Sequence, residues 1–466
     1  MDSTHRINPS RRGFLKRTTA LTLASVAAPW TLNLAAMAQA SAAGANDYKA
    51  LVCVFLLGGN DYANTLVPFD AGSHAVYQQA RPSFAFSRDL LAPTLLTPLA
   101  DPLDRLGVPH QYALAPGLAP LWPLFNAGKM GVLLNVGPLI QPTSKEQWRQ
   151  QSVKLPPRLF SHGDQQSLWQ AAAPDGAPAG WGGRLGDLLQ SSNSTTTFTC
   201  INLAGNTLYL SGNTAVQFQM TTSGMVELAA LHAPLSGSAA ASSALRTLIT
   251  LPSSHLLEDE YNRISKRAID AHDVLNDALA SAPPLRTQFD PYNRMAAQLQ
   301  MVARLIGAAP KLGIRRQVFF VGVGDFDTHD GMQTAHPILM ASLASALEAF
   351  YAATAEMGVA DQVTSFTASE FGRTLTSNGN GTDHGWGSMH FVLGGAVKGK
   401  RYYGTAPVVA SDGPDDIGQG RLLPTTSIEQ IGATLGGWLG VSEQDLLTML
   451  PNLSNFPQEK RNLGFV

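Results

Sequence analysis

Leu51-Val52-Cys53-Val54-Phe55-Leu56-Leu57-Gly58-Gly59-Asn60-Asp61 is the stretch whose pattern decides the fold. Seven apolar residues in a row, without alternation, read as a strand covered on both faces, and the glycines end it in a tight turn. With Ala50 in front, the run spans Ala50–Leu57, and five others share its character: Gly131–Val136, Phe198–Leu203, Gln317–Val321, Gln362–Thr367 and His390–Leu393. Between them Leu256–Ala280, Met295–Ala308 and Pro337–Met357 show helical spacing. In the last, Leu339, Leu343, Leu347, Phe350 and Tyr351 form one apolar stripe. Strands alternating with helices predict an α/β fold with a mostly parallel sheet and helices on both faces.

Composition narrows the class further. The 466 residues are 44% hydrophobic and 14% charged, with 43 Gly and 29 Pro. Such a charge content, against roughly 25% in an average soluble domain, excludes a disordered or coiled-coil chain. The formal net charge is −2 and no long Lys/Arg run occurs beyond the first twenty residues, so no nucleic-acid partner is expected.

Ser10-Arg11-Arg12-Gly13-Phe14-Leu15-Lys16 reads as a twin-arginine export signal. The moderately apolar Thr18–Met37 and a small-residue cleavage box, Ala38-Gln39-Ala40, come after it. The expected organisation is a signal peptide over 1–40 and a single α/β domain over 41–466 with insertions near 190–255. Within these, Ser191–Thr197 and Leu235–Ala244 read as exposed loops. Cleavage would remove five basic residues and one acid, leaving a net −6. No other segment approaches roughly 18 consecutive apolar residues, so no stable membrane span is expected after cleavage. The twin-arginine machinery is the expected export partner, and the periplasm or the medium the destination. An oxidising compartment would permit a bridge between the only two cysteines, but Cys53, inside an apolar run, reads better as a buried thiol than as the partner of Cys200.

Polar residues sit at the ends of the apolar runs. Gly58-Gly59-Asn60-Asp61 ends the first, and Gln317–Val321 leads into Gly322-Val323-Gly324-Asp325-Phe326-Asp327-Thr328-His329-Asp330. Gln362–Thr367 leads into Ala368-Ser369-Glu370-Phe371-Gly372-Arg373, while Gly381-Thr382-Asp383-His384-Gly385 precedes His390. In an open α/β sheet the carboxyl ends of the strands form the ligand crevice, so these loops are expected to converge. Clustered carboxylates need a cation among them, and mixed carboxylate and imidazole donors suit zinc, manganese or iron better than calcium. Asp327 and His329, two apart, share a side of an extended backbone and could chelate one ion; Asp325, four residues before His329, is the alternative carboxylate. Asp383 and His384 would need a turn to converge. Two ions about 4 Å apart could clamp an attacking and a leaving oxygen.

These motifs resemble those of an exported bacterial family, domain of unknown function 1501, across essentially the whole mature chain including Leu422–Phe456. That family in turn resembles the alkaline phosphatase and sulfatase superfamily. The likeness implies an alkaline phosphatase-like fold and one or two divalent ions, zinc or manganese first. Asp61 with Asp383 and His384 would bind one ion, Asp327 and His329 the other, with His336 or His390 as a further ligand. Ser161-His162, in Leu159-Phe160-Ser161-His162-Gly163-Asp164, matches a Ser-His element of the family. By the same likeness Ser161 would attack phosphorus or sulfur while Arg373 neutralises the developing charge. Asn60 and Glu370 complete the candidates. The expected activity is metal-dependent cleavage of a small anionic phosphate or sulfate ester. The competing expectation is a periplasmic binding or assembly protein that keeps the fold without turnover.

Overall fold

A computed structural model describes residues 47–173, 176–225, 229–232, 234–410 and 412–466. The expected leader, 1–40, lies outside them. Each of the six apolar runs contains a strand, because contiguous apolar or β-branched residues between turn signals suit a sheet buried on both sides. In chain order the strands are β1 (Lys49–Leu56), β2 (Leu66–Pro68), β3 (Tyr112–Leu114), β4 (Met130–Gly137), β5 (Cys200–Asn202), β6 (Phe218–Gln219), β7 (Arg316–Val323), β8 (Val363–Ala368), β9 (Ser388–Gly394), β10 (Tyr402–Tyr403) and β11 (Thr426–Ser427). Nine of them build one sheet in the order β10-β4-β9-β8-β1-β7-β5-β6, with β11 beside β4. β1 is central, parallel to β7 (Val52 opposite Phe319) and to β8 (Val52 opposite Ser365). The fold is α/β with a mostly parallel sheet.

Within that sheet β9 runs backwards, antiparallel to both β8 and β4. β8 leads directly into β9, so one connection, 369–387, carries both the Ser369–Arg373 and the Gly381–Gly385 segments, and the reversal keeps both of its ends at the edge that also holds the loops after β1 and β7. The four polar segments of the sequence, on three loops, therefore meet at one edge.

Helices cover both faces. Leu51, Cys53 and Phe55 pack with Trp181, Leu185, Ile428, Ile431 and Leu435 from the helices Trp181–Leu189 and Ile428–Leu439. The alternate residues Val52 and Val54 are equally buried and face the other side. There the helix Arg294–Leu312 meets β7, and the helix Met332–Glu356 packs on it. By length and composition Met332–Glu356 could cross a membrane. Its His336, Met340, Leu343, Leu347 and Phe350 are instead buried, and it packs against Arg294–Leu312 and the turn Pro116–Leu121.

The tract Leu235–Ala244 departs from the exposed loop expected of it. Ser238 caps a helix, Ala239–Thr250, by accepting from Ala241 N, and the alanine-rich start has the intrinsic propensity to continue it. Cys53 and Cys200 are both free and buried; β7 runs between their strands, beyond disulfide reach. Burial raises both thiols, Cys200 to about 12.

Candidate metal centre

Three imidazoles and one carboxylate converge at the carboxyl edge of the sheet. His162 opens the helix His162–Ala171, Asp327 and His329 lie on the loop after β7, and His384 on the loop before β9. Donor atoms of His162, Asp327 and His384 lie within 4.8 Å of one another. His162 Nε2 is 3.3 Å from Asp327 Oδ2, and His384 Nε2 is 3.3 Å from Asp327 Oδ1. His329 Nε2 stands 3.2 Å from Asp327 Oδ1 and 2.7 Å from His384 Nε2.

The partner of each ring's other nitrogen fixes the chemistry. His162 Nδ1 is 3.0 Å from Glu370 Oε1, His329 Nδ1 is 3.2 Å from Asp383 Oδ1, and His384 Nδ1 is 2.7 Å from the Phe160 carbonyl. A carbonyl or ionised carboxylate can only accept, so each Nδ1 carries a proton and each Nε2 faces the cluster; between His329 and His384, whose Nε2 atoms are 2.7 Å apart, a shared proton or a bound cation has to separate the two lone pairs. His162 Nε2 is buried without a hydrogen-bond partner. Three inward lone pairs beside a carboxylate are a donor set for a divalent cation, and the Nδ1 partners are those that orient metal-bound histidines.

The surroundings hold this arrangement. The Phe371 ring packs 4.9 Å from the His162 ring and 4.7 Å from that of His384, centroid to centroid. Phe160 adopts a left-handed backbone (φ 71°), unusual for a large side chain, at the residue whose carbonyl receives His384. Glu370, fully buried, also accepts from Gly58 N at 2.9 Å and Gln166 Nε2 at 2.9 Å. The cluster itself opens to solvent: the four side chains are 23–45% exposed.

Charge depends on these contacts. The hydrogen bond to Glu370 raises His162 despite partial burial. Burial lowers His384, helped by nearby cationic groups. Burial alone would raise Asp327, but the hydrogen bond and charge of Arg373 outweigh it and hold the carboxylate below its usual range.

The other sequence candidates fall in different places. Asp61 is fully buried and bound by Arg81, whose Nη1 and Nη2 donate to its two oxygens at 2.6 and 2.9 Å; Asn64 N and Thr382 Oγ1 also donate to it. Burial would raise Asp61, and Arg81 more than offsets that. Asn60 N donates to Ser369 Oγ at 2.9 Å, while His336 Nε2 faces the Asn60 side-chain oxygen at 3.2 Å. His336 is buried and pushed down to about 4 by that burial. Asp325 turns to the surface and pairs with Arg294. His390 is buried within β9 with neither ring nitrogen hydrogen-bonded, and burial takes it down to about 3. Ser161 Oγ donates to Asp164 Oδ2 at 2.6 Å. Arg373 is fully buried, donating to Gly58 O, Asp327 Oδ1 and Thr382 O, which ties three loops together. Sequence reasoning singles out none of Arg81, Phe160, Gln166 and Phe371. Phe160 and Phe371 lie inside the Ser-His and Ser369–Arg373 motifs and carry that much signal; Arg81 and Gln166 carry none.

Comparison with known proteins places the chain in a family. No curated protein matches it. Among solved structures it is similar to Ps i-CgsB in complex with k-i-k-neocarrahexaose (TM-score 0.37, 8% identity, covering 89% of this chain and 77% of that one). It is also similar to a protein from a Bacteroides thetaiotaomicron locus for metabolism of multiple glycosaminoglycans (TM-score 0.33, 11% identity, 90% and 76% covered). A mutant of the alkaline phosphatase PafA overlaps more loosely (TM-score 0.23, 9% identity, 70% and 63% covered). Overlaps this loose carry no shared chemistry to this chain. Residues 48–449 match one family model throughout, and the chain belongs to that family, the proteins of unknown function designated DUF1501.

Proposed function

We propose that this protein is an exported metal-dependent hydrolase in which His162, Asp327 and His384 hold one divalent cation that acts on a small phosphate or sulfate ester. The observation that carries the reading is the common orientation of the three histidines, each with its Nδ1 against an acceptor and its Nε2 turned inward. A cation there supplies Lewis acidity toward the ester oxygen, and a nitrogen-rich set with one carboxylate favours zinc, then manganese. Glu370 and the Phe160 carbonyl orient two ligands, and Arg373 orients the third. His329 Nε2 would take the proton of a water that bonds to phosphorus or sulfur as the ester P–O or S–O bond breaks, and would return it to the departing oxygen, while Asp383 holds its Nδ1 proton. Ser161, held by Asp164, is left as the cap of its helix rather than the nucleophile. Asp61, enclosed by Arg81, is left out of the ligand set, so of the one or two ions that the resemblance implies the reading keeps one. Export through the twin-arginine route to the periplasm or medium is part of the same proposal and rests on residues 1–40.

One contact favours a second reading. His329 Nε2 is only 2.7 Å from His384 Nε2, close enough to join as a fourth ligand and close the set around a structural ion. Elemental analysis of the exported protein, with aryl phosphate and aryl sulfate assays, separates the two. Under the hydrolase reading, His162→Ala and His384→Ala lose the metal, whereas His329→Gln keeps it and loses turnover. If His329→Gln also loses the metal and the parent turns over neither ester, the structural ion stands. A folded protein without metal removes both readings.

A further inference from the structure

A cavity beside the end of β4 includes none of the three histidines in its lining. It measures about 330 Å³ and is lined mostly by apolar groups: Pro138, Leu139 and Ile140 after β4, residues 155–157, and Leu168 with Ala173. That volume lies at the lower end of small-molecule sites, which are concave and mainly apolar with few polar groups. Three polar residues enter the lining: Glu429, Asn452 and Lys154.

Glu429 is the anomaly. It is 3% exposed, in the first turn of the helix Ile428–Leu439, and no cation among the described residues is paired with it. Its oxygens receive one hydrogen bond each, from Ser427 Oγ at 2.8 Å and Asn452 Nδ2 at 2.9 Å. Arg184, the cationic influence on it, directs its guanidinium to the carbonyls of Met449, Ala179 and Ala171 instead. Burial accordingly raises its carboxyl. The helix terminus alone accounts for an acid in the first turn, but not for one withdrawn from water into an apolar wall without a counter-ion. Both of its donors are neutral, whereas a buried carboxylate otherwise has a cation beside it. Lys154 is the opposite case, an exposed cation in the same lining. A cavity with a buried acid, an exposed base and an apolar barrel is complementary to a molecule charged at both ends.

We infer that this cavity binds a mainly aliphatic zwitterion, its ammonium on Glu429 and its anionic end toward Lys154. The ammonium would supply Glu429 with the missing counter-ion, and the methylene chain would cover Leu139, Leu155 and Leu168. The site shares no residue with the candidate metal centre. Its walls nevertheless belong to the segment leading to Phe160 and to the helix that begins at His162, so an occupant touches the elements that position two of the three rings.

The test is calorimetric titration of the full-length exported protein with aminocaproate, hexylamine and hexanoate. Aminocaproate should bind most tightly and hexanoate least. Glu429→Gln should weaken aminocaproate and hexylamine at least tenfold without changing hexanoate. Ile140→Trp, which fills the cavity from an incompletely buried wall, should abolish binding of all three. A melting curve on each variant establishes that it is folded. Equal affinity for the three probes in the parent and in Glu429→Gln would reduce the cavity to an apolar void and overturn the inference. So would no binding of any probe to the folded parent.

Discussion

Asp61→Asn should cost the protein stability and leave untouched any metal content that the parent has. Both partners of the Asp61–Arg81 pair are fully buried. The guanidinium meets the carboxylate through two hydrogen bonds and continues to Asn64 Oδ1, Leu375 O and Thr374 O. Breaking a buried pair by neutralising one partner costs about 3–5 kcal/mol, because the remaining charge has no water to turn to. The three neutral acceptors that stay with Arg81 argue for the lower figure, about 3 kcal/mol. The amide also turns a donor toward Arg81 or Thr382, which prevents the loss from being smaller. Against a typical total of about 5–15 kcal/mol this is a large fraction. Urea unfolding monitored by circular dichroism reads the loss, and elemental analysis of the same preparation reads the metal. A variant with an unchanged urea midpoint and no metal would make Asp61 a ligand, as the family resemblance implies, and would refute the pairing with Arg81 as its role.

Two further outcomes concern the surroundings of the cluster and the buried histidines. Glu370→Gln keeps an acceptor for Gly58 N but removes the charge that holds the His162 Nδ1 proton, and should weaken metal affinity about ten- to a hundredfold; competition with a metal buffer measures this, and equal affinity would dismiss the role given to Glu370. Acid should destabilise the fold before the carboxylates titrate. His336 and His390 stand near 4 and near 3 when folded, against an ordinary 6.5. The unfolded chain therefore takes up protons below pH 6.5 that the folded one refuses, and stability falls with pH down to about 4 for His336 and about 3 for His390. Each histidine should remove about 2 kcal/mol between pH 7 and 5. Urea midpoints at the two pH values, in the parent and in His336→Gln, test this; a parent as stable at pH 5 as at pH 7 would contradict the buried neutral rings.

The parts of this fold that are legible in the sequence are those fixed by local pattern. A continuous apolar run such as Leu51–Leu57 has no stable home except a doubly covered strand, so the central sheet can be read directly. The residue types gathered at the strand ends are legible for the same reason, since the carboxyl edge collects the residues that succeed each strand. Partnership is not legible. Asp61, in the loop after β1, reads as a ligand through the family resemblance, and nothing in the local pattern announces Arg81, twenty residues on, as the charge that encloses it. His162 reads as a catalytic neighbour of Ser161; its place beside Asp327 depends on a helix start brought in from another part of the chain. The helix Ala239–Thr250 escapes a compositional reading because an alanine and serine tract also has the make-up of a loop, and only the Ser238 cap tips it toward helix.

The reversed strand makes the cluster one site, because both ends of the β8–β9 connection stay at the edge that holds the loops after β1 and β7. If β9 ran parallel to β8, the connection carrying Asp383 and His384 would have to end at the opposite edge, drawing His384 away from Asp327. Reversal alone brings the loops near; backbone packing sets their spacing. A Cβ on Gly58 (φ 122°) would stand 2.3 Å from Asp327 N, and one on Gly381 would stand 2.2 Å from Thr328 O. Both glycines are thus required by close approach to the segment that carries Asp327 and His329. The buried Arg373 then crosses the same junction, donating to Gly58 O, Asp327 Oδ1 and Thr382 O. Main chain in contact with main chain, tied by a charge with no access to water, has little freedom to relax. The inward-facing Nε2 atoms are therefore held near one another by the scaffold, and an ion entering the cluster would meet a donor set already oriented rather than one it must assemble.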